Sequence, residues 1–176
     1  MHFLTGEPLE YTIALIKPDA VTAGTAGRII TRMEHNFFVA DVRCAQWGPN
    51  VAMEFYEEHR GKAFFDDLVR FMCSDRLYMI TLVAPDAIDK WRAMMGATNP
   101  LNAMPGSIRG DFAARDGIIM HNCVHGSDSE ESVRRESAVL TRHGYSLPEA
   151  RRLCLQYRDL AWSIDEKGVP QLKRCR

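Results

Sequence analysis

The chain has 176 residues, of which 46% are hydrophobic, and its 22 basic and 23 acidic residues leave a formal net charge of -1. This length and composition indicate one globular domain with one substantial core. The balanced charge gives no bulk field of the kind that attracts nucleic acid or an anionic membrane, so any anion site has to be local.

The cysteines and the first residues bear on the compartment. The first ten residues, MHFLTGEPLE, lack the basic, then apolar, layout of a secretory signal, and no apolar run approaches the roughly 20 residues that span a bilayer. We therefore expect a soluble, cytoplasmic protein with no nucleic-acid or membrane partner. An odd set of thiols without a C-x-x-C pair indicates reduced cysteines; these are Cys44, Cys73, Cys123, Cys154 and Cys175.

The N-terminal part is predicted to begin with a strand, a helix and a second strand. Residues 11–16 (YTIALI) have the composition of a buried strand, which Lys17-Pro18-Asp19 ends with a turn. A helical pattern starts at Gly27, and residues 38–47 alternate like a strand.

The middle of the chain is predicted to hold three helices around one strand. Residues 51–60 and 63–72 suggest two short helices, since apolar residues recur in the second at helical spacing. Residues 77–83 (LYMITLV) form a third buried strand. Pro85-Asp86 then starts a helix that runs through Met95.

The C-terminal part begins with a long predicted loop, residues 97–117, which contains two prolines and three glycines. Residues 118–125 are predicted to follow as a short fourth strand. Residues 127–130 (SDSE) resemble a capping box that opens a helix to about Thr141, and a polar, partly helical extension is expected after His143.

These elements occur in the order β-α-β-α-α-β-α-β-α. The order predicts a ferredoxin-like α/β sandwich, a split βαβ unit in which a four-stranded antiparallel sheet is covered by helices. We divide the chain into a lead-in at residues 1–9, a domain at residues 10–162 and a tail at residues 163–176.

The region between the predicted third strand and the last helix concentrates side chains suited to a phosphate chain. Arginine offers permanently charged planar donors, threonine a hydroxyl and lysine a point charge. Lys17, at the end of the first strand, is a candidate for that point charge. The other candidates are Arg92, Thr98, Arg109, Asn122 and His125.

The string NCVHGSDS, residues 122–129, resembles the active-site signature of the nucleoside diphosphate kinase family. In that family an asparagine three residues before a histidine, followed by Gly-Ser-Asp, marks the imidazole that accepts phosphate. Further matches lie along the chain in the family's order: IKPDAV at 16–21, Tyr56, the pair Phe64-Phe65, WRAMMGATNP at 91–100, PGSIRGDF at 105–112 and Glu136.

The resemblance implies reversible transfer of the γ-phosphate from a nucleoside triphosphate to a nucleoside diphosphate through a phosphohistidine. It makes His125 the nucleophile and Glu136 the partner of the opposite ring nitrogen. It adds Lys17 and Tyr56 to the catalytic group. Residues implied to bind the nucleotide, with Phe64 stacking on the base, are Lys17, Phe64, Leu68, Arg92, Thr98, Arg109 and Asn122.

The resemblance also implies partners. Substrates would be ATP and other nucleoside tri- and diphosphates. Mg²⁺ would arrive with the phosphates without a direct protein ligand, and Asp128 would contact it through water. The protein would be a homo-oligomer, often a hexamer in this family.

The chain departs from the common family pattern at three places. It has about three residues more between RGDF and the N-x-x-H motif, within residues 113–121. Ala63 stands where many relatives have proline, and the C-terminal end is longer. We expect catalysis to survive these changes and subunit contacts to differ.

Two other interpretations stay open. His121, Cys123 and His125 alternate, so that on a strand all three would face one side like metal ligands. A catalytically silent version of the fold that only binds nucleotides is the second alternative, since fold does not fix function.

Overall fold

The structure is a computed structural model that describes residues 9–145 and, beyond them, the strands at residues 160–164 and 170–174. Its elements in chain order are β1 (Glu10–Ile16), α1 (Pro18–Thr22), α2 (Ala26–Glu34), β2 (Phe38–Gln46), α3 (Pro49–Phe55), a 3₁₀ turn (Glu57–His59), α4 (Phe65–Met72), β3 (Arg76–Ala84), α5 (Ala87–Met95), a second 3₁₀ turn (Pro100–Asn102), α6 (Ile108–Phe112), β4 (Val124–Gly126), α7 (Glu130–Arg142), β5 (Leu160–Ile164) and β6 (Pro170–Arg174).

The first four strands form one sheet in the order β2-β3-β1-β4. All three neighbouring pairs are antiparallel. This arrangement confirms the predicted four-stranded antiparallel sheet of a ferredoxin-like fold. β5 and β6 pair with each other as a separate antiparallel hairpin.

The sheet separates two hydrophobic layers. Ala14 and Ile16 of β1 face a cluster that includes Ile29 of α2 and Trp91 of α5. The alternate residues, such as Leu15, face a cluster built from α3, α4 and α7. Because successive side chains of a strand point to opposite faces, the apolar run of β1 supplies both layers.

Two elements in the first half of the chain differ from the sequence prediction: the turn after β1 is a helix, and the helix after β2 is shorter than expected. Residues expected to form a turn after β1 are the helix α1, which has Pro18 in its first turn, where the missing N–H costs nothing. The helix predicted at residues 51–60 ends at Phe55 and continues as a 3₁₀ turn from Glu57 to His59.

Three predictions in the C-terminal part were wrong. The loop at 97–117 contains the second 3₁₀ turn and α6. The strand predicted at 118–125 is only Val124–Gly126, because Cys123 has a positive φ of 67° that no strand residue adopts. The N-cap of α7 is Ser129, whose hydroxyl accepts from the Ser132 N–H, and the predicted capping box at 127–130 does not form.

The extension after His143 is described only in part. The polar, partly helical extension was expected to include everything after His143. Residues 160–164 and 170–174 of it are strands, and residues 146–159, 165–169 and 175–176 lie outside the described residues. In the part of the chain that the structure describes, no helix combines the length and the apolar character needed to cross a membrane.

Candidate active site

The site lies where β1 and β4 run side by side. Leu15 pairs with His125 and Ile16 pairs with Val124. Lys17 therefore leaves β1 beside the segment that leads into His125, and its backbone N–H donates to the Cys123 carbonyl at 2.8 Å. This pairing brings together residues that the sequence places more than 100 positions apart.

The imidazole of His125 is held by two aromatic rings and a carboxylate. Phe55 and Tyr56 meet the imidazole edge to face, with ring centroids 5.1 and 5.6 Å away. Nε2 of His125 lies 3.1 Å from Oε2 of Glu136. The Glu136 side chain is 2% exposed and that of His125 is 18% exposed. Since Nε2 faces the carboxylate, Nδ1 is the nitrogen left to act on a substrate.

Glu136 is itself fixed by neighbours. The buried hydroxyl of Ser127 donates to the same Oε2 atom at 2.7 Å. The Arg135 guanidinium lies 3.5 Å from Oε1 and also donates to the Phe55 carbonyl at 2.9 Å. The carboxylate therefore offers the imidazole an oxygen whose position is set from both sides.

The backbone of His125 is anchored by Trp91. The indole Nε1 of Trp91, a fully buried residue, donates to the His125 carbonyl at 3.1 Å. A Cβ at Gly126 would lie only 2.3 Å from Trp91 Cδ1. Glycine is therefore required after His125 because the indole approaches the backbone so closely.

A tight turn at Cys123 aims the chain into β4. Cys123 has a φ of 67°, and the Val124 N–H donates to the Asn122 carbonyl at 2.7 Å across it. This is a γ-turn of the rare, strained kind. The Cys123 N–H donates to Oδ2 of Asp19 at 2.9 Å. Burial raises the pKa of the Cys123 thiol to about 12, so the thiol is unreactive at neutral pH.

Lys17 is a buried cation with few partners. Its side chain is 4% exposed, and Nζ donates to the Met120 carbonyl at 2.7 Å and to Oδ1 of Asn122 at 2.9 Å. Nζ also lies 5.2 Å from the centre of the Phe71 ring. Burial lowers the pKa of Lys17 to about 8, against a smaller raising effect of Asp19. The ammonium is thus still charged at neutral pH.

Arg109 is a second buried cation, 8% exposed. Its guanidinium donates to the Gly96 carbonyl at 2.8 Å and to the Val124 carbonyl at 2.9 Å. Burial lowers the pKa of Arg109 to about 10, which leaves it charged at neutral pH. Its Nε is buried and has no hydrogen-bond partner among the described residues. Arg109 therefore both supports the loop and supplies positive charge.

Asn122 links Lys17 to the loop after α5. Besides accepting from Lys17, it donates through Nδ2 to the Thr98 carbonyl at 3.0 Å. Thr98 and Arg92 are exposed, and Arg92 donates to the Asp128 carbonyl at 3.2 Å. Hydrogen bonds thus join three of the predicted phosphate-binding residues, Lys17, Asn122 and Thr98. Arg109 and Arg92 instead bond to backbone carbonyls on either side of His125 in the chain, those of Val124 and Asp128.

Tyr56 supports the site from the α3 side. Its ring is 5% exposed, and its hydroxyl donates to Sδ of Met72 at 3.7 Å. Burial raises the pKa of Tyr56 well above its usual range, so the phenol stays neutral. Tyr56 therefore packs against His125 with its ring, while its phenol hydroxyl stays protonated and bonds to Met72.

Phe64 and Leu68 differ in exposure. Phe64 is 45% exposed, while Leu68 is 6% exposed and packs in the core. His59 connects Phe64 to Tyr56, because its ring stacks on Tyr56 at 6.0 Å and meets Phe64 at 5.6 Å. Phe64 is therefore the exposed aromatic ring of this group, and Nζ of Lys62 lies 5.8 Å from its centre.

The alternative of a metal site at His121, Cys123 and His125 does not fit this geometry. His121 Nδ1 lies 2.7 Å from Oδ2 of Asp116, and the turn at Cys123 breaks the alternation on which the alternative depended. Among the described residues, no group of three or more histidine, cysteine or acidic side chains is placed to hold a metal ion.

Sequence reasoning missed three supports of the site: Ser127, Trp91 and Asp19. All three lie inside the quoted motifs, where the pattern alone gives them no role. Their contacts depend on side-chain directions across the fold, which spacing along the chain does not reveal.

Comparisons with known proteins agree with this geometry. The family model described as nucleoside diphosphate kinase matches residues 10–144. The nucleoside diphosphate kinase of a Nitratiruptor species is 44% identical over 74% of this chain and 93% of its own length. That of Thermus thermophilus is 42% identical over 76% of this chain and 96% of its own.

Solved structures give the same result. The Aquifex aeolicus nucleoside diphosphate kinase has a TM-score of 0.70 and 34% identity, covering 75% of this chain and 94% of its own. A Halobacterium salinarum nucleoside diphosphate kinase, solved in complex with CDP, has a TM-score of 0.70 and 33% identity over 82% of this chain and 97% of its own. The chain therefore belongs to the nucleoside diphosphate kinase family and is a nucleotide-binding phosphotransferase.

Proposed function

We propose that His125 carries the phosphoryl group between a nucleoside triphosphate and a nucleoside diphosphate. The observation that supports this most directly is the 3.1 Å contact between Nε2 of His125 and Glu136. A proton on Nε2 directed at a carboxylate leaves the lone pair on Nδ1, which is the nucleophilic form of the ring.

In the first half-reaction Nδ1 attacks the γ-phosphorus. The bond to the β,γ-bridging oxygen breaks, its electron pair stays on the departing diphosphate, and a phosphorus–nitrogen bond forms. The ring gains positive charge in this step, which the buried Glu136 carboxylate stabilises. The second half-reaction reverses these changes with a different diphosphate as acceptor.

The phosphates would be bound by the cations around His125. Lys17 and Arg109 are buried and charged at neutral pH, and Arg92 and the Thr98 hydroxyl approach from the exposed side. Asn122 orients the Lys17 ammonium. Fixed charges of this kind stabilise the transferring phosphoryl group because they need no reorganisation during the step.

The nucleoside would stack on Phe64, with Leu68 one turn further along α4. The 45% exposure of Phe64 supports this placement, since a base has an open aromatic surface to cover. The substrates we propose are ATP and other nucleoside tri- and diphosphates, as bases of every kind have a face that stacks.

Mg²⁺ is the proposed metal, and it would reach the site on the substrate phosphates. Asp128 is exposed, and its hydrogen bond from Ser132 lowers its pKa, so it is a carboxylate at neutral pH. A single exposed carboxylate suits contact through a metal-bound water, because Mg²⁺ keeps several of its waters. The bound metal would neutralise charge on the phosphates.

For the assembly and the compartment, we propose a cytoplasmic homo-oligomer, with a hexamer as the expected form. Large apolar side chains exposed on the loops after α5 and α6 support an association surface; they are Leu101, Met104, Ile118 and Ile119. Light scattering on the purified protein gives the number of subunits.

The experiment that tests the carrier role uses γ-labelled ATP without an acceptor. The protein should become labelled, and any nucleoside diphosphate should remove the label. In steady-state kinetics the same two-step route should give parallel double-reciprocal plots. The label should be lost in acid and resist alkali. His125→Ala should abolish both labelling and exchange, while His121→Ala and His143→Ala serve as controls that retain them. Acid-stable label, or exchange by His125→Ala, would exclude the mechanism.

A further inference from the structure

The carboxylate of Asp19 is directed at the segment that leads to His125, and one of its oxygens is buried without a partner among the described residues. Asp19 lies in the first turn of α1, two residues after Lys17. Its Oδ2 accepts the Cys123 N–H at 2.9 Å. Its other oxygen, Oδ1, is buried and has no hydrogen-bond partner among the described residues. A buried carboxylate oxygen without a partner is costly, so its presence calls for an electrostatic reason.

The first effect of Asp19 is on the backbone. Cys123 is held at a φ of 67° in the γ-turn that leads to His125. Such a turn is strained and persists only where the surroundings fix it. The Cys123 carbonyl is bonded to the Lys17 N–H, and its N–H is bonded to Asp19. Lys17 and Asp19 thus form hydrogen bonds with the peptide groups on both sides of the turn.

The second effect is on Lys17. The groups that face its ammonium are the Met120 carbonyl, the Asn122 amide oxygen, the Phe71 ring and three ionisable groups. Those three are Asp19, Arg109 and Cys123. Arg109 opposes a positive charge on Lys17, and the Cys123 thiol is neutral at pH 7 because burial raises its pKa. Asp19 is therefore the one formal negative charge among the groups facing Lys17 in the described residues.

We propose that Asp19 is a positioning residue for the phosphoryl transfer, which fixes the turn before His125 and keeps Lys17 protonated in its buried site. The inference rests on the proposed function, since it assumes that Lys17 binds phosphate as a cation. It assigns two separable tasks to one carboxylate: Oδ2 holds the Cys123 N–H, and the negative charge favours the Lys17 ammonium.

The two tasks separate in the Asp19→Asn variant. The amide oxygen still accepts the Cys123 N–H, but the charge is gone. The measurement is kcat/KM against pH, because this ratio reports groups of the free enzyme. The wild type should lose activity as pH rises through about 8, where Lys17 deprotonates. Asp19→Asn should lose activity about one pH unit lower, in line with removal of a nearby opposite charge.

Two further variants complete the series. Asp41→Asn removes the same charge on β2, at the opposite edge of the sheet from β4, and should leave the profile unchanged. Asp19→Ala should show the shifted profile and also a lower maximal rate, because the Cys123 N–H loses its acceptor. An Asp19→Asn profile that coincides with the wild type would overturn the inference.

Folding and function are checked separately. Circular dichroism and thermal melting show whether each variant folds. If Asp19→Asn does not fold, Asp19→Glu is measured instead, because it keeps the charge but displaces the acceptor of the Cys123 N–H. Its activity should still fall as pH rises through about 8, with a reduced maximal rate. A fall of activity at a shifted pH would contradict the proposal. Labelling of the wild type by γ-labelled ATP tests the proposed function itself. A wild type that labels, with no shift in Asp19→Asn, refutes only the role of Asp19.

Discussion

The Nε2 atom of His125 lies 3.1 Å from Oε2 of Glu136, and the same oxygen accepts the Ser127 hydroxyl at 2.7 Å. The His125–Glu136 pair is therefore one part of a three-residue chain. Ser127 is fully buried, so its hydroxyl has no water to replace the carboxylate. The orientation of the imidazole thus depends on Ser127, which acts on the ring through the carboxylate.

Ser127→Ala should lower kcat about tenfold with little change in KM. The loss corresponds to about 1.4 kcal/mol, close to the lower limit for a hydrogen bond to a charged group. Steady-state kinetics measure it. Ser74→Ala is a control, because Ser74 is exposed and its hydroxyl donates only to the Phe71 carbonyl. Equal kcat in Ser127→Ala and the wild type would mean that Glu136 orients the imidazole without the help of Ser127.

Gly126→Ala should destabilise the fold and impair His125. The added Cβ would lie 2.3 and 2.4 Å from Cδ1 and Nε1 of the fully buried Trp91. Overpacking of this kind costs about 1–3 kcal/mol in the free energy of unfolding. Urea denaturation measures the change. Gly27→Ala is the matched control, since a Cβ added to Gly27 in α2 would have nothing within 4 Å; it should be neutral or slightly stabilising.

The elements that could be predicted from sequence are those with a clear period or run. β1 and β3 are largely apolar runs that could be predicted as buried strands. The alternation of these strands with helical segments then predicted the ferredoxin-like fold. The segment 118–123 was predicted as part of a strand, and it begins with two β-formers, Ile118 and Ile119. It is not a strand, since the fold requires a sharp turn at Cys123, and no residue there carries the usual glycine signal for a positive φ.

For the site, the motifs placed the charged groups and left their supports unassigned. Lys17, Asn122 and His125 were predicted from separate motifs, and the pairing of β1 with β4 brings their segments side by side. Trp91 lies in a motif that gives it no role, since its bond to the His125 carbonyl depends on how α5 packs on the sheet. Such contacts arise from packing and leave no pattern in the spacing of residues.

Arg92 and Arg109 should differ in what their loss costs. Arg109 is buried and donates to the carbonyls of Gly96 and Val124, so Arg109→Ala should reduce both kcat and the free energy of unfolding, the latter by about 3 kcal/mol. Arg92 is exposed, so Arg92→Ala should reduce kcat/KM with stability changed by less than about 0.5 kcal/mol. Unaltered activity in both variants would remove these residues from the phosphate site.

Base selectivity should be weak. Phe64 offers an exposed ring, which His59 meets in a T-shaped contact and near which Nζ of Lys62 lies, 5.8 Å from the ring centre. Stacking does not distinguish base edges, so purine and pyrimidine diphosphates should have kcat/KM values within about a thousandfold, or about 4 kcal/mol. Phe64→Ala should raise KM for every nucleotide alike. A preference for one base beyond that limit would point to a residue that reads base edges.

Lys17 should affect stability and activity in opposite directions as pH rises. Burial lowers its pKa from 10.5 to about 8 in the folded protein, so between these values the unfolded chain binds more protons at Lys17 than the folded one. Stability increases with pH wherever the unfolded state binds more protons, so this group contributes a rise of at most about 3 kcal/mol between pH 8 and 10.5. The ammonium is lost from the site over the same range, and turnover should fall.

The rise in stability is isolated by subtracting the free energy of unfolding of Lys17→Met from that of the wild type at each pH, because other alkaline titrations are common to both proteins. A difference that stays flat or falls above pH 8 would show that Lys17 is not strained by burial, and the loss of activity at alkaline pH would then need another group.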